Sequence, residues 1–198
     1  ANQPHIFEEI WRNYVDGRKL VNYYNIFLGR NILNLEYLTA VFRRASTRLD
    51  VANIFRSRVN LVYVLMRQDT GRTVYVVPNT DTIFEQMNAS SAIPFLHSPV
   101  VIDGIAYIDG SVADPIPFER AFRDGHDEVV VVHNRPREFY IGHRLERWAG
   151  LIARFQPPAT RNFILNLKER YQALDRKIDH NPNITVIRPK EQLPLRSI

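Results

Sequence analysis

The fold is indicated first by residues 99–111, which read PVVIDGIAYIDGS. Within this stretch, the apolar runs Pro99–Ile102 and Ile105–Ile108 flank the dipeptide Asp103-Gly104. Asp-Gly between two apolar runs is a strong hairpin signal, because both residues accept the positive φ angles that a type I′ turn requires. The stretch therefore predicts two antiparallel β-strands joined by a tight turn.

The second Asp-Gly of the stretch, Asp109-Gly110, predicts a different structure. The residues after it include Pro115 and Pro117, which lack the N–H groups that a returning strand would need. Asp109 is therefore expected where the chain leaves the sheet for a helix, and ligand sites in α/β sheets lie outside such strand ends. From these residues alone, an aspartate that caps a tight turn is the simpler interpretation.

Helices and strands alternate on both sides of this stretch, as the spacing of apolar residues and the turn sequences predict. Before the stretch, the predicted elements are helices from His5 to Tyr14 and from Asn34, a hairpin of strands Val59–Met66 and Thr73–Val77, and a short helix capped by Thr80 or Asp81 that runs towards Ser91. After it, they are a helix near Phe118–Arg123, a strand Glu128–His133, helices around His143–Ala153 and Thr160–Ile178, and a strand Ile184–Arg188. The valine run in strand 128–133 is typical of a buried strand, so the order predicts an α/β layer fold with a covered sheet.

The composition is that of a globular chain: of the 198 residues, 45% are apolar and 24% are charged. The longest apolar runs, such as Leu61–Met66, are too short to cross a membrane. Cysteine is absent, which excludes disulfide scaffolds and thiolate metal sites and fits a reducing compartment, so we expect a cytoplasmic protein. The six histidines show no metal-binding spacing, and neither a metal nor another cofactor is expected.

The charge balance is moderately basic, because 26 basic residues against 21 acidic ones give a net charge of +5. The basic residues are dispersed, which favours an ordinary basic surface over a binding patch. No motif of interleaved basic and aromatic residues indicates nucleic acid, so no nucleic-acid partner is expected. Any contact with a membrane is expected to be peripheral.

Four sequence motifs of enzyme active or cofactor sites are incomplete or missing in this chain. Asp69-Thr70-Gly71 is the triplet of aspartic proteases, but between Arg67 and Arg72 it predicts a solvent-facing turn. The Gly-x-Ser-x-Gly elbow of α/β hydrolases includes none of the seven serines, which are at positions 46, 57, 90, 91, 98, 111 and 197. A Gly-rich phosphate loop and a dinucleotide fingerprint are absent as well.

Four segments in the middle of the chain form one ordered pattern. They are NASSAIPF at 88–95, PVVIDGIAYIDGS at 99–111, DPIP at 114–117 and GHDEVVVV at 125–132. In this order they strongly resemble the second half of patatin-like phospholipases, most clearly over residues 59–133, and RLERWAG at 144–150 is similar to bacterial members. The resemblance implies a three-layer α/β/α hydrolase fold, of which residues 1–198 form a single but incomplete domain segment.

The resemblance also implies an activity, that of a lipid acyl hydrolase working with a Ser–Asp dyad. In such a dyad the serine attacks the ester carbonyl and the aspartate takes its proton directly. Asp109 matches the aspartate of the family, whereas Ser111 stands where the family has Gly or Ala. The implied partner is a lipid or another ester substrate, and no oligomeric state is implied.

The serine of the dyad is missing from the matching segments, as is the Gly-rich oxyanion loop of the family. The chain has only 8 glycines and starts at Ala1 rather than Met, where an average usage of about 7% would give roughly 14 glycines. We therefore expect both missing segments to lie upstream of Ala1, so that this chain alone is inactive. The alternative is a catalytically inactive binding or scaffold protein that retains only this half.

Overall fold

The computed structural model describes residues 3–15, 17–44, 48–137, 150–151 and 153–191. By its internal contacts the chain divides into two compact units, one that ends at Ser111 and one that begins at Val112. Helices and strands occur in both units, which confirms the mixed α/β class predicted from the sequence. Among the described helices, none is long and apolar enough to cross a membrane.

The regular elements fall mostly where the apolar spacing predicts them. In the first unit they are helices α1 (Pro4–Asn13), α2 (Leu35–Arg43), α3 (Val51–Arg56) and α4 (Ile83–Ser90), and strands β1 (Tyr63–Arg67), β2 (Thr73–Val76), β3 (Val100–Ile102) and β4 (Ile105–Asp109). In the second unit they are α5 (Phe118–Arg123), β5 (Val129–Val132), α6 (Pro158–Leu165), α7 (Leu167–Asp179) and β6 (Ile184–Ile187). Short 3₁₀ helices lie at Gly17–Lys19, Tyr23–Leu28 and Gly110–Val112.

The described strands of the first unit form one antiparallel sheet in the order β2-β1-β4-β3. Both predicted hairpins are confirmed, since β1 pairs with β2 and β3 pairs with β4 across the Asp103-Gly104 turn. Strand β1 begins at Tyr63, later than the predicted start at Val59. Leu65 of β1 lies opposite Asp109, so the pairing of the two central strands fixes the end of β4.

The core of the first unit lies where α1, α2 and α4 meet. Its buried side chains are Ile10, Val41, Phe42, Ile83 and Phe84. The rings of Phe42 and Phe84 stack with their centroids 6.5 Å apart, which holds α4 against α2. The Asn34 side chain caps α2 by accepting from the Tyr37 N–H at 2.9 Å.

The start of α4 differs from the prediction that Thr80 or Asp81 caps it. The helix begins at Ile83, and its N-cap residue Thr82 makes no side-chain capping bond. Instead, Asn79 Oδ1 accepts from the backbone N–H groups of Asp81 and Thr82, at 2.9 and 3.0 Å. An Asx turn at Asn79 therefore satisfies the backbone N–H groups that precede the helix. Asparagine and aspartate can both form such a turn.

In the described part of the second unit, β5 and β6 pair in parallel, with Val129 opposite Ile184. The helix predicted over Thr160–Ile178 is two helices, α6 and α7. They separate at Asn166, whose side-chain amide donates to the Asn162 carbonyl at 2.9 Å. The helix predicted around His143–Ala153 lies mostly outside the described residues.

Strand β5 is less covered than its sequence predicts. Val131 is buried, but Val130 and Val132 are 60% and 74% exposed. Alternate residues of a strand point to the same face, so the prediction of a covered strand is wrong for the face that carries Val130 and Val132. Valine is common in strands because it favours extended backbone, and also because it is often buried. On the face of β5 that carries Val130 and Val132, only the first reason applies.

Candidate active site

Asp109 lies at the end of β4, where the chain turns into the 3₁₀ helix Gly110–Val112. Its backbone N–H donates to the Ala92 carbonyl at 3.0 Å, which connects the strand end to the segment after α4. One carboxylate oxygen, Oδ1, accepts from the Ser111 N–H at 2.8 Å. The strand-end position predicted from the sequence is thus found, and Asp109 also caps the turn, as the simpler interpretation requires.

Gly110 occupies a junction that has no room for a side chain. A Cβ atom on Gly110 would lie 2.1 Å from the Val64 carbonyl oxygen. The same oxygen accepts from the Ser90 hydroxyl at 2.9 Å, and Ala89 and Ala92 at the end of α4 are fully buried. These small residues let the helix end, β1 and the end of β4 approach closely, which sets the position of Asp109.

The Asp109 carboxyl group is half-buried, and burial raises its pKa above the ordinary value for aspartate. The N–H and the hydroxyl of Ser111 lower the pKa and partly offset the effect of burial, because both stabilise the ionised form. In the part of the chain that the structure describes, none of the ion pairs includes Asp109. A carboxylate with a raised pKa and no basic partner is a better proton acceptor than an ordinary one.

Asp69 has the opposite environment. It is exposed in the β1–β2 turn, where the Arg67 guanidinium donates to both of its carboxylate oxygens at 3.1 and 2.7 Å. This contact lowers the pKa of Asp69 to about 2. The solvent-facing turn predicted for Asp69-Thr70-Gly71 is confirmed, and a carboxylate held ionised by arginine is a poor proton acceptor.

The segment after α4 contains a strained backbone. Phe95 has a φ of 75°, in the left-handed region that bulky residues rarely adopt. The turn around it is held by the N–H groups of Leu96 and His97, which both donate to the Ile93 carbonyl, at 3.1 and 3.0 Å. Strain of this kind concentrates at functional sites, and Phe95 lies three residues after Ala92, the backbone partner of Asp109.

Two serines lie near Asp109, and each has a structural contact. The Ser90 hydroxyl donates to the Val64 carbonyl, and Ser111 holds the carboxylate of Asp109. Neither serine stands in a Gly-x-Ser-x-Gly sequence. Among the residues that the structure describes, no group of three or more histidine, aspartate or glutamate side chains is arranged to hold a metal ion.

Comparison with known proteins identifies the class to which this fold and strand-end aspartate belong. The profile of the patatin-like phospholipase family matches residues 2–122, which is more than half of the chain. The chain therefore belongs to this family of lipid hydrolases, as the segments from 88 to 132 predict. It is also similar to the protein described as "Uncharacterized protein YjjU" of Escherichia coli (strain K12), with 28% identity over 206 aligned positions. That alignment covers 100% of this chain and 57% of YjjU, so the chain spans less than two thirds of the length of this relative.

Proposed function

We propose that Asp109 is the general base of a serine-dependent lipid acyl hydrolase. The observation that carries the proposal is the environment of the carboxylate at the end of a central strand. It is half-buried, its pKa is raised by burial, and no described basic side chain pairs with it. Membership in the patatin-like phospholipase family supports the hydrolysis of lipid acyl esters.

In the proposed reaction a serine hydroxyl attacks the ester carbonyl carbon while its proton passes to the Asp109 carboxylate, across about 2.6–3.2 Å. The tetrahedral intermediate then collapses, the bond to the alcohol oxygen breaks, and Asp109 returns the proton to that oxygen. Water repeats both steps on the acyl-serine, which releases the carboxylic acid and regenerates both residues. A raised pKa suits this sequence, because one carboxyl group must accept a proton and then give it back.

The proposed nucleophile lies outside these 198 residues, because no serine of the sequence stands in a Gly-x-Ser-x-Gly elbow. The hydroxyls of Ser90 and Ser111 have the structural contacts described above. The part of YjjU that the alignment leaves uncovered is long enough for such an elbow. The role proposed for Ser111 is to orient the Asp109 carboxylate.

An apolar cavity in the first unit supports an acyl substrate. Its volume is about 400 Å³, and its lining includes Phe7, Ile54, Leu61, Tyr63 and Met87. Cavities of this size with mainly apolar walls are typical of small-ligand sites. Met87, which lines the cavity, lies on α4 and precedes Ala92, the backbone partner of Asp109, by five residues.

The test is ester hydrolysis by the complete protein and by three variants. Asp109→Asn keeps the size of the side chain and the turn contact but removes the proton acceptor, so kcat/KM should fall by about 10²–10⁴-fold. Asp103→Asn is the matched control, since Asn-Gly serves the hairpin turn as well as Asp-Gly does. Ser111→Ala should retain most of the activity. Circular dichroism verifies that each variant is folded.

Two results would contradict the assignment. Activity retained by a folded Asp109→Asn variant excludes this carboxylate as the base, and a covalent acyl group found on Ser111 or Ser90 places the nucleophile within the chain. A complete protein that binds lipid vesicles but hydrolyses no ester would favour the binding or scaffold alternative.

The chain of 198 residues by itself gives an independent check. Without the proposed nucleophile, Asp109 could only activate water, and the acyl-serine route would be lost. The chain should therefore show no turnover of p-nitrophenyl butyrate above the buffer rate. Burst kinetics from this chain would contradict the proposal and would direct attention to Ser90, Ser91 or Ser111.

A further inference from the structure

A short protrusion of the first unit, the 3₁₀ helix Tyr23–Leu28, presents its apolar side chains to solvent. The exposed residues are Tyr23, Tyr24, Ile26, Phe27 and Leu28, each more than half exposed. Phe27 is 85% exposed, which is the largest value among the exposed apolar side chains of the described residues. A contiguous group of this kind marks an interaction site far more often than scattered single residues do.

Local hydrogen bonds define both ends of the protrusion. Asn22 caps it by accepting from the Tyr24 N–H at 3.1 Å, and Gly29 ends it in the left-handed region at φ 63°. The Asn25 side chain donates to the Asn31 carbonyl at 2.7 Å, which closes the loop across its base. Hydrogen bonds within the segment thus satisfy its ends, while its apolar side chains remain exposed.

The charged residues in the sequence from 17 to 35, which includes the protrusion, are all positive, and the acidic residues Asp16 and Glu36 come just outside it. Between residues 17 and 35 the sequence has three basic residues, Arg18, Lys19 and Arg30, and no acidic one. All three are exposed, and the Arg18 guanidinium lies 5.5 Å from the centre of the Tyr24 ring. Aromatic and aliphatic tips flanked in sequence by cations complement an anionic bilayer, because the tips enter the headgroup boundary while the cations meet the lipid phosphates.

The base of the protrusion is connected to the segment that holds Asp109. The Leu33 N–H donates to the Leu96 carbonyl at 2.7 Å, and the Ser98 hydroxyl donates to Asn31 Oδ1 at 2.8 Å. The segment that contains Leu96 and Ser98 begins at Ala92, the backbone partner of Asp109. The base of the protrusion is therefore hydrogen-bonded to the segment whose Ala92 carbonyl accepts from Asp109.

From these observations we infer that the protrusion Tyr23–Leu28 is a docking surface for anionic phospholipid bilayers. The inference extends the proposed function by naming the surface that meets the lipid, but it does not depend on hydrolysis. Flotation measures vesicle binding whether or not the lipid is hydrolysed, so a failure of docking and a failure of catalysis give different results.

The experiment is flotation of the complete protein with vesicles of phosphatidylcholine containing about 30% phosphatidylglycerol, compared with phosphatidylcholine alone. Binding should require the anionic lipid and should decrease at 1 M salt, where screening shortens to about 3 Å. Phe27→Ser should weaken binding about tenfold, the scale of losing one large buried apolar side chain. Lys19→Gln and Arg30→Gln should each weaken it about fivefold.

Phe155→Ser is the matched control, because Phe155 is 82% exposed but belongs to the second unit. It should leave vesicle binding unchanged. Equal losses for Phe27→Ser and Phe155→Ser would overturn the inference, as would equal binding to neutral and anionic vesicles. If Phe27→Ser unfolds the complete protein, the protrusion is a buried contact and the inference is wrong. A folded Phe27→Ser variant that binds vesicles normally overturns it as well.

Discussion

The dipeptide Asp-Gly occurs at both ends of β4, and these two of its four copies in the chain have different structural roles. Asp103 and Gly104 form the exposed turn before the strand, with φ angles of 50° and 75°. A Cβ atom on Gly104 would meet nothing within 4 Å. Gly110, after the strand, has no positive φ but would place a Cβ atom 2.1 Å from the Val64 oxygen.

Glycine follows aspartate at both ends of β4, but for different physical reasons. At the first site glycine is needed for backbone conformation, and at the second it is needed because the neighbouring strand leaves no space. The aspartates differ in the same way, since Asp103 is exposed and Asp109 is half-buried with a raised pKa. Identical local sequence therefore indicates a turn at both places, but only the packing around it decides which aspartate can act as a base.

The largest effect expected from this difference is on stability at the two glycines. Gly110→Ala forces a methyl group into the Val64 carbonyl and should lower the free energy of unfolding by about 3 kcal/mol. Gly104→Ala meets no atoms and should cost only about 1 kcal/mol, for a left-handed alanine. Urea unfolding of the complete protein measures both. Equal losses at the two sites would contradict the distinction between space and conformation.

The next effect is on the pH dependence of hydrolysis. The proposed base works only when Asp109 is ionised, and burial raises its pKa. As pH falls through that raised pKa, kcat/KM should decrease by about tenfold per pH unit, with a midpoint above the ordinary aspartate value of about 3.9. Asp103→Asn should leave this acid limb in place. A midpoint at or below the ordinary value would argue against Asp109 as the titrating group.

A smaller effect is expected on stability from Asp109→Asn. Because its folded-state pKa is raised, ionised Asp109 destabilises the folded state at every pH above that pKa. Below the unfolded value of about 3.9 both states are protonated and the cost vanishes. Asp109→Asn should therefore raise the urea midpoint at pH 7, and the gain should fade as pH falls. A loss of stability at pH 7 would mean that the contact with Ser111 outweighs the cost of burial.

The smallest effect belongs to Asp103→Asn. Aspartate and asparagine both accept the left-handed conformation found at position 103, where φ is 50°. Asn-Gly therefore forms a type I′ turn as well as Asp-Gly does. The free energy of unfolding should change by less than about 0.5 kcal/mol. A larger loss, measured beside Gly104→Ala, would show that the Asp103 carboxylate has a role that the exposed turn does not reveal.

The parts of the fold that were predicted correctly depend on local chemistry. The turns at Asp103-Gly104 and around Asp69, and the proline-marked exit after Asp109, follow from the φ angles and hydrogen-bond donors of a few adjacent residues. Helices α1 and α2 were likewise predictable, because in each one the apolar residues recur at the spacing that places them on a single face. These features need no knowledge of distant contacts.

The features that sequence reasoning missed depend on distant residues or on close alternatives. The exposure of Val130 and Val132 is set by what packs on β5, which the strand itself does not encode. The Asx turn at Asn79 was one of several possible caps before α4. The close contact of Gly110 with Val64 can be predicted only when the register of β1 and β4 is known. The sequence feature that could have indicated it is the presence of small residues, such as Ala92, on both sides of the contact.

The left-handed Phe95 has a consequence for anyone who wishes to make the protein more thermostable. A bulky residue at φ 75° costs about 1 kcal/mol or more in backbone energy. Phe95→Gly would remove that cost, but it would also remove a half-buried phenyl ring and free the segment that supplies the Ala92 carbonyl to Asp109 and the Leu96 carbonyl to Leu33. Relieving the strain is therefore no simple route to a heat-resistant variant, and under the proposed function it would also loosen the segment that positions Asp109.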